Sequence, residues 1–463
     1  MKSTLLCATL LAGFAGTAAF AVEKAEVIDT YANIAQAAYS DSAATARRLQ
    51  AAVDALIAEP SAENLQAAKS AWLAARVPYQ QTEAFRFGNP IVDDWEGKVN
   101  AWPLDEGLID YVDASYGGAT DENPLAAANV VAQPKLSIGG AEVDATEITP
   151  ALIEGSLHEA DGIEANVASG YHAIEFMLWG QDLNGTDAGA GNRPWTDYAK
   201  GDACTHGNCD RRGQYLKAAT DLLVSDLDWM AAQWADDGAA RANLTQNETA
   251  GIAAMLTGMG SLSYGEQAGE RMRLGLMLND PEEEHDCFSD NTYNSHYYDG
   301  KGIQNVYRGQ YVRANGELVS GPSLSDLVAE TNPALDDEMQ AKLTATMDAL
   351  GRIKIAAEAG VSDYAPFPQD AAQAEIETGL AKGARLLFLG SPDYPEALAA
   401  LSDPPPVLWV RGRSQVLSQP AVGMVGARNA SSLGARMARK LADGLGWHGF
   451  TVVSGLARGI DTV

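Results

Sequence analysis

Apolar side chains recur at helical spacing soon after the N-terminus, and this periodicity constrains the fold more than any other feature. Val27, Tyr31, Ile34 and Ala38 form one such series, and Leu49, Val53, Leu56 and Ile57 continue it. Glu59-Pro60-Ser61 interrupts the pattern. Ser61 can cap a following helix that carries Leu65, Ala68, Trp72 and Ala75. Alanine is abundant and β-branched alternation is scarce. Helices are expected again over 215–234, 248–278 and 324–357. Gly-, Asp-, Asn- and Pro-rich connections fill 88–150, 180–214 and 279–323. Loops that long in a compact domain carry function or wrap the bundle. Residues 22–360 are therefore predicted to be all-α with decorated loops.

The chain of 463 residues has a net charge of −30, which makes nucleic acid and anionic membranes poor partners for the protein as a whole. The acidity is uneven. Residues 364–463 hold 9 Lys and Arg against 8 Asp and Glu, leaving 23 against 54 for the rest. Such a break points to two segments of different origin.

Residues 1–21 read as a secretory signal, with Lys2, an apolar run from Leu5 to Phe20, and cleavage after Ala21. Export to the periplasm is expected, with no stable membrane span once the signal is removed. Cys204 and Cys209 flank a short loop and would pair in an oxidising compartment, leaving Cys287 over.

Within this helical stretch, Gly170-Tyr-His172-Ala-Ile-Glu175 opens an apolar segment free of Gly and Pro that reads as a helix start. His172 and Glu175 would project from one face. An imidazole and a carboxylate side by side either hold a metal in a bundle interior or hydrogen-bond each other in the core. Further ligand candidates are Glu83, Asp105, Glu106 and Glu266. Glu83 stands out because Phe85, Arg86 and Phe87 surround it, and a buried carboxylate needs a cation, hydrogen bonds or a metal. Arg86 and Arg273 could orient such carboxylates. Glu83-x-x-Arg86-x-Gly88 also echoes Glu270-x-x-Arg273-x-Gly275, each on the later part of a helix, as two facing bundle halves would require. His158-Glu159 lacks the second His of a zinc-protease motif, and no Gly-x-Ser-x-Gly elbow is present.

After Pro366 the pattern changes to βαβ. Residues 384–389, 421–425 and 450–453 read as strands, with a helix through Ala435, Ala438, Leu441 and Leu445. Gly426–Gly434 and Ser454–Asp461 are small-residue turns at successive strand ends, where backbone N–H groups can meet phosphate.

Two resemblances follow. Gly170-x-His172-x-x-Glu175 with Phe176 and Leu178-x-Gly180 resembles the signature of the imelysin-like family. Glu83–Gly88, Asn100-Ala-Trp-Pro-Leu-Asp105 and Cys287–Thr292 agree with it. The resemblance spans about 25–360. It implies an exported, all-helical protein of two bundle-like halves, a metal ion (iron or zinc) and links to iron uptake or regulation, with other exported iron-uptake components as partners. The family is grouped with metallopeptidases, so peptide cleavage by the same residues, with water at an open metal position, is the alternative. His172, Glu175, Glu83 and Asp105 would be the ligands, with Gly170, Arg86, Glu266 and Arg273 in support.

Asp393-Tyr-Pro395, Val425-Gly-Ala-Arg428-x-x-Ser431-x-x-Gly434 and Ser454-Gly-Leu-Ala-Arg458-Gly-Ile-Asp461 resemble the DNA-processing protein A (Smf) family. Gly426, Arg428, Ser431, Gly434, Ser454, Arg458 and Gly459 would then meet the phosphates of single-stranded DNA, although Leu433 replaces a frequent aromatic residue. The likeness takes in about half of that Rossmann-like fold, and its cytoplasmic chemistry conflicts with export. The expected organisation is a signal over 1–21, an imelysin-like helical domain over 22–362 and a partial α/β Rossmann-like fragment over 363–463. A misjoined or chimeric frame would leave that fragment non-functional.

Overall fold

The computed structural model describes residues 22–454 apart from 121–122, 186–187, 279–282, 360–378, 389, 392, 401–406, 414–415, 418 and 425–431. The chain divides into two compact units, Met1–Ala365 and Pro366–Val463. The signal expected over 1–21 lies outside the described residues.

The first unit is helical. The two apolar series after Val27 are one helix, α1 (Lys24–Ala58), because no Gly or Pro interrupts it. Ser61 caps α2 (Ala62–Gln80) by accepting from the Asn64 N–H at 3.1 Å. Pro78, near the end of α2, has no N–H to donate to the preceding turn. Two residues later the helix ends and Glu83–Phe85 forms a 3₁₀ turn, so Glu83 lies beyond a helix rather than on one.

The expected connections hold more structure than their composition shows. Residues 88–150 contain α3 (Pro90–Asn100), the short α4 (Glu106–Ile109) and a hairpin of β1 (Lys135–Ile138) with β2 (Ala141–Asp144). After a single turn, α5 (Pro150–Leu152), comes α6 (Gly170–Trp179), whose ten residues are all buried. The Cys204–Cys209 disulfide closes the next loop and leads into α7 (Cys209–Gln233).

Helix α8 (Ala239–Thr245) precedes α9 (Glu248–Gly260). Residues Ser261–Arg273 then widen into a π-helix before α10 (Leu274–Leu278). Residues 279–323, expected as loop, hold α11 (Thr292–Arg308) and the antiparallel pair β3 (Gln310–Val312) and β4 (Leu318–Ser320). The last expected helix is two: Ser323 and Asp326 form a capping box on α12 (Leu324–Thr331), and Asn332-Pro333 restarts the chain as α13 (Pro333–Glu358).

Helices α1, α2, α6 and α7 pack as one group and α11, α12 and α13 as another, with α2 touching both. The core lies between α1, α2 and α7, around Trp72, Tyr39, Phe85 and Trp234. No helix among the described residues is long and apolar enough to cross a membrane.

In the second unit, β5 (Ala384–Phe388) pairs antiparallel with β6 (Val407–Arg411). Strand β7 (Ala421–Gly423) pairs parallel with β8 (Thr451–Val453), the helix Ser432–Trp447 lying between them in sequence. That is the expected βαβ order. Gly434 sits in this helix and Ser454 follows β8, whereas Gly426, Arg428, Ser431, Arg458 and Gly459 lie outside the described residues.

Candidate metal centre

Gly170 fixes where α6 begins. Its φ is +82°, and a Cβ there would stand 2.4 Å from the Val99 carbonyl oxygen at the end of α3; only glycine allows that approach. Ser169 Oγ donates to the Lys98 carbonyl at 2.8 Å, and Trp72 Nε1 donates to the Tyr171 carbonyl at 2.9 Å. The first turn is thus clamped between α2 and α3.

His172 and Glu175 share one buried face of this helix. His172 Nδ1 lies 3.0 Å from Glu175 Oε2, and Glu175 Oε1 accepts from Ser289 N–H at 2.9 Å and Ser289 Oγ at 2.6 Å. Both carboxylate oxygens are engaged, and one of them supports His172 through Nδ1.

Two residues that sequence reasoning passed over complete the group. His285 and Asp286 come from the loop before α11, and one ligand atom each from His172, His285 and Asp286 lie within 4.8 Å of one another. The His285 ring meets His172 edge-on at 4.9 Å and Trp102 at 5.5 Å. Asp286 Oδ1 accepts from Arg76 Nη2 at 2.7 Å, and Oδ2 accepts from Asn291 Nδ2 at 2.8 Å and from Ser295 Oγ. Among the described residues, His172 Nε2 and both ring nitrogens of His285 have no hydrogen-bond partner, although all are buried.

Electrostatics set the charge states. Burial, reinforced by Arg76, pulls His172 down to about 3, and burial with Arg271 nearby holds His285 well below the ordinary imidazole value. Both rings are therefore neutral near pH 7, the form that binds metal. Burial alone would raise Asp286, but Arg76, with hydrogen bonds from Ser295 and Asn291, outweighs it and keeps it an anion. Burial and the Asp286 charge push Glu175 well above the usual carboxylate range. Two neutral imidazoles and an ionised carboxylate fit a borderline or hard cation such as zinc or iron.

The other expected ligands sit elsewhere. Glu83 accepts from Arg271 Nη2 at 2.9 Å, and Arg271 Nη1 donates to Asp299 at 3.0 Å. Burial raises Glu83, but Arg271 and Arg86 bring it below its ordinary value; a buried cation satisfies it without a metal. Glu266 lies 3.7 Å from Arg271, and Arg86 pairs with Asp93 and Glu96 at 2.9 and 3.2 Å. Asp105 precedes α4 and accepts from Tyr116 OH at 3.0 Å and from the Asn123 amide. Glu106 is buried in the first turn of α4. Arg273 and Glu270 are exposed, so the second copy of the Glu-x-x-Arg echo does not face the first; Arg271 reaches Glu83 instead. The π-helix around Arg271 changes which side chains turn inward, an effect that ordinary helical spacing cannot register.

A helical unit built round a buried His-His-Asp group is the class that fold and site define. Residues 35–387 match the imelysin family profile, and the chain belongs to that family. Residues 385–463 match DNA recombination-mediator protein A. The iron-regulated protein A of Synechococcus elongatus is 39% identical over 67 residues, 14% of this chain and 19% of that protein. Protein Smf of Synechocystis is 41% identical over 90 residues, 19% of this chain and 23% of that protein. The chain therefore spans about a fifth of the length of these curated relatives. A solved structure from Parabacteroides distasonis, described as an iron-regulated protein A precursor, shares the fold. It has a TM-score of 0.50 at 19% identity and covers 73% of this chain and 88% of its own.

Proposed function

We propose that this imelysin-family protein is exported and binds a metal ion, and that it serves iron acquisition or an iron-responsive role. His172, His285 and Asp286 would hold the ion, and Glu175 would orient His172. The observation that carries this reading is the pair of neutral, buried imidazoles with unpartnered nitrogens beside an anionic carboxylate. An iron-responsive role is in keeping with the name of the Synechococcus relative, an iron-regulated protein, and the Cys204–Cys209 disulfide suits an oxidising compartment. Partners would be other exported components of iron uptake.

Peptide cleavage is the weaker reading, because both oxygens of Glu175 are taken by Ser289 and His172 and leave no ready base for water. The 363–463 segment is proposed to be a DNA-processing fragment that makes no contribution to this role. Retention of single-stranded DNA by the whole chain, lost in Arg428→Ala, would show otherwise.

The deciding experiment is calorimetric titration of the mature chain with ferrous iron, ferric iron supplied as a weak chelate, and zinc, with bound metal counted by elemental analysis. About one ion per chain is expected, with affinity reduced at least 100-fold in His172→Ala and in His285→Ala. Folded protein that takes up no metal, or variants that bind as tightly as the parent, would refute it.

A further inference from the structure

A second site lies at the far end of α6. A cleft of about 700 Å³ opens where Trp179 and Gly180 meet Tyr111 and Arg193, a volume suited to a small organic ligand. Arg193 forms part of the wall, yet its side chain is only 1% exposed. Its Nη1 donates to Asp110 at 2.8 Å and to Asp197 at 3.2 Å. Its Nε and Nη2 have no partner among the described residues.

Those two nitrogens form one edge of the guanidinium, the fork that takes a carboxylate side-on through two parallel hydrogen bonds. The neighbouring Arg212 shows the fork in use: its Nε and Nη2 both donate to Asp110, at 2.6 and 3.0 Å. Arg193 has the same fork idle in a buried place, where unmade hydrogen bonds are costly. Burial opposes its charge, but Asp110 and its other neighbours more than compensate, so it remains a cation.

Gly180, which lines the cleft, packs against Arg193: its φ is +73°, and a Cβ there would meet Arg193 Cβ at 3.4 Å and Nε at 3.7 Å, so a side chain at 180 would crowd the Nε end of the fork. Lys69 does not line the cleft, but its Nζ lies 5.1 Å from the centre of the ring of Trp179, which does, and it forms no ion pair among the described residues. Partial burial and the charge of Arg193 pull it down to about 8. The one carboxylate among the described residues that line the cleft, Asp113, accepts from Ser115 N–H and Oγ at 2.9 and 2.7 Å.

We propose that this cleft binds a small organic polycarboxylate: one carboxylate side-on to Arg193 Nε and Nη2, another toward Lys69, and the carbon skeleton against Trp179 and Tyr111. Two planar donors between aromatic walls suit a carboxylate better than a tetrahedral dianion, which needs more donors and would sit close to Asp110 and Asp197. The site does not depend on a metal at His172.

The test is calorimetric titration of the metal-free mature chain with citrate, succinate and inorganic phosphate, with folding of every variant checked by circular dichroism. Saturable one-to-one citrate binding is expected, weakened at least tenfold in Lys69→Gln and in Arg193→Lys and changed less than twofold in His172→Ala. Lys69 lies half-buried on α2 and outside any ion pair, so its variant keeps the test valid should Arg193→Lys fail to fold. Tighter binding of ferric citrate than of citrate would identify a metal chelate as the source of the carboxylates; equal or weaker binding would identify the free acid. Absence of saturable binding of either acid to folded protein, phosphate binding tighter than citrate, or an unchanged Kd in Lys69→Gln would overturn the proposal.

Discussion

His172 Nδ1 and Glu175 Oε2 stand 3.0 Å apart on one buried turn of α6, and the other oxygen of the carboxylate is held by Ser289. Burial and Asp286 hold Glu175 well above the usual carboxylate range, so it keeps its proton while Nε2 is free; a cation taken at Nε2, which faces no protein partner, would leave Nδ1 protonated and donating to an ionised Glu175. A carboxylate behind a ligating imidazole fixes its tautomer and raises its basicity. Glu175→Gln keeps the shape but turns an amide donor or a weaker acceptor toward Nδ1. Metal affinity of that variant is expected to fall about 10- to 100-fold in calorimetric titration, with an unchanged number of sites. A full-strength Glu175→Gln would mean that His172 ligates without this support.

Gly170→Ala tests the clamp on the same helix. The new Cβ would lie 2.4 Å from the Val99 carbonyl oxygen, on backbone already at φ +82°. Left-handed strain and overpacking each cost about 1–3 kcal/mol, so a loss of about 3 kcal/mol is expected in urea denaturation, with no change in the slope. Stability within 1 kcal/mol of the parent would show that α3 yields easily.

What the sequence made legible follows from what periodicity can carry. Helices α1, α2 and α7 have clean apolar faces, and Ser61 is a cap by chemistry alone. Helix α11 escaped notice because Thr292–Arg308 buries Ser295, His296, Asp299, Gln304 and Asn305. A helix that lines a polar interior has no apolar stripe to detect. Part of the candidate site was readable, since His172 and Glu175 are three apart on one helix. His285 and Asp286 come from a loop, and their proximity to His172 depends on long-range folding. The available signal was an adjacent His-Asp pair just before Cys287–Thr292, in a chain with only 6 histidines. The pairing of Glu83 with Arg271 rather than Arg273 was hidden by the π-helix.

Arg271 joins Glu83 and Asp299, neither of which forms another ion pair among the described residues. Glu83 and Asp299 lie 2.9 and 3.0 Å from its two terminal nitrogens, all three side chains being buried. Glu83, held below its ordinary value, is the charged partner, and removing the cation strands it at a cost of about 3–5 kcal/mol. Arg271→Met should lower the denaturation midpoint accordingly. Adding Glu83→Gln should then recover part of the loss, because the two sites share one interaction. Purely additive losses in the double variant would argue against the pairing.

The same cluster gives the protein a pH dependence with two opposed parts. Burial, opposed by Arg271 and aided by Glu83, raises Asp299 to about 8, and burial with Glu83 raises Glu96 to about 7. Both keep protons in the folded state that an unfolded chain releases near pH 4. The stability they contribute is complete below that pH and is lost as pH rises through 7 to 8. His296 runs the other way. Burial and Arg271 lower it to about 4, so its contribution is present above about pH 6.5 and is lost as pH falls toward 4. Between pH 5 and 6.5 the two effects tilt stability in opposite directions, each by up to about 1.4 kcal/mol per pH unit per group. Asp299→Asn should therefore make unfolding free energy rise more steeply with pH in that window, and His296→Asn should make it fall. Urea titrations at half-unit steps read both slopes, and a shift of the same sign in the two variants would exclude this assignment of protons.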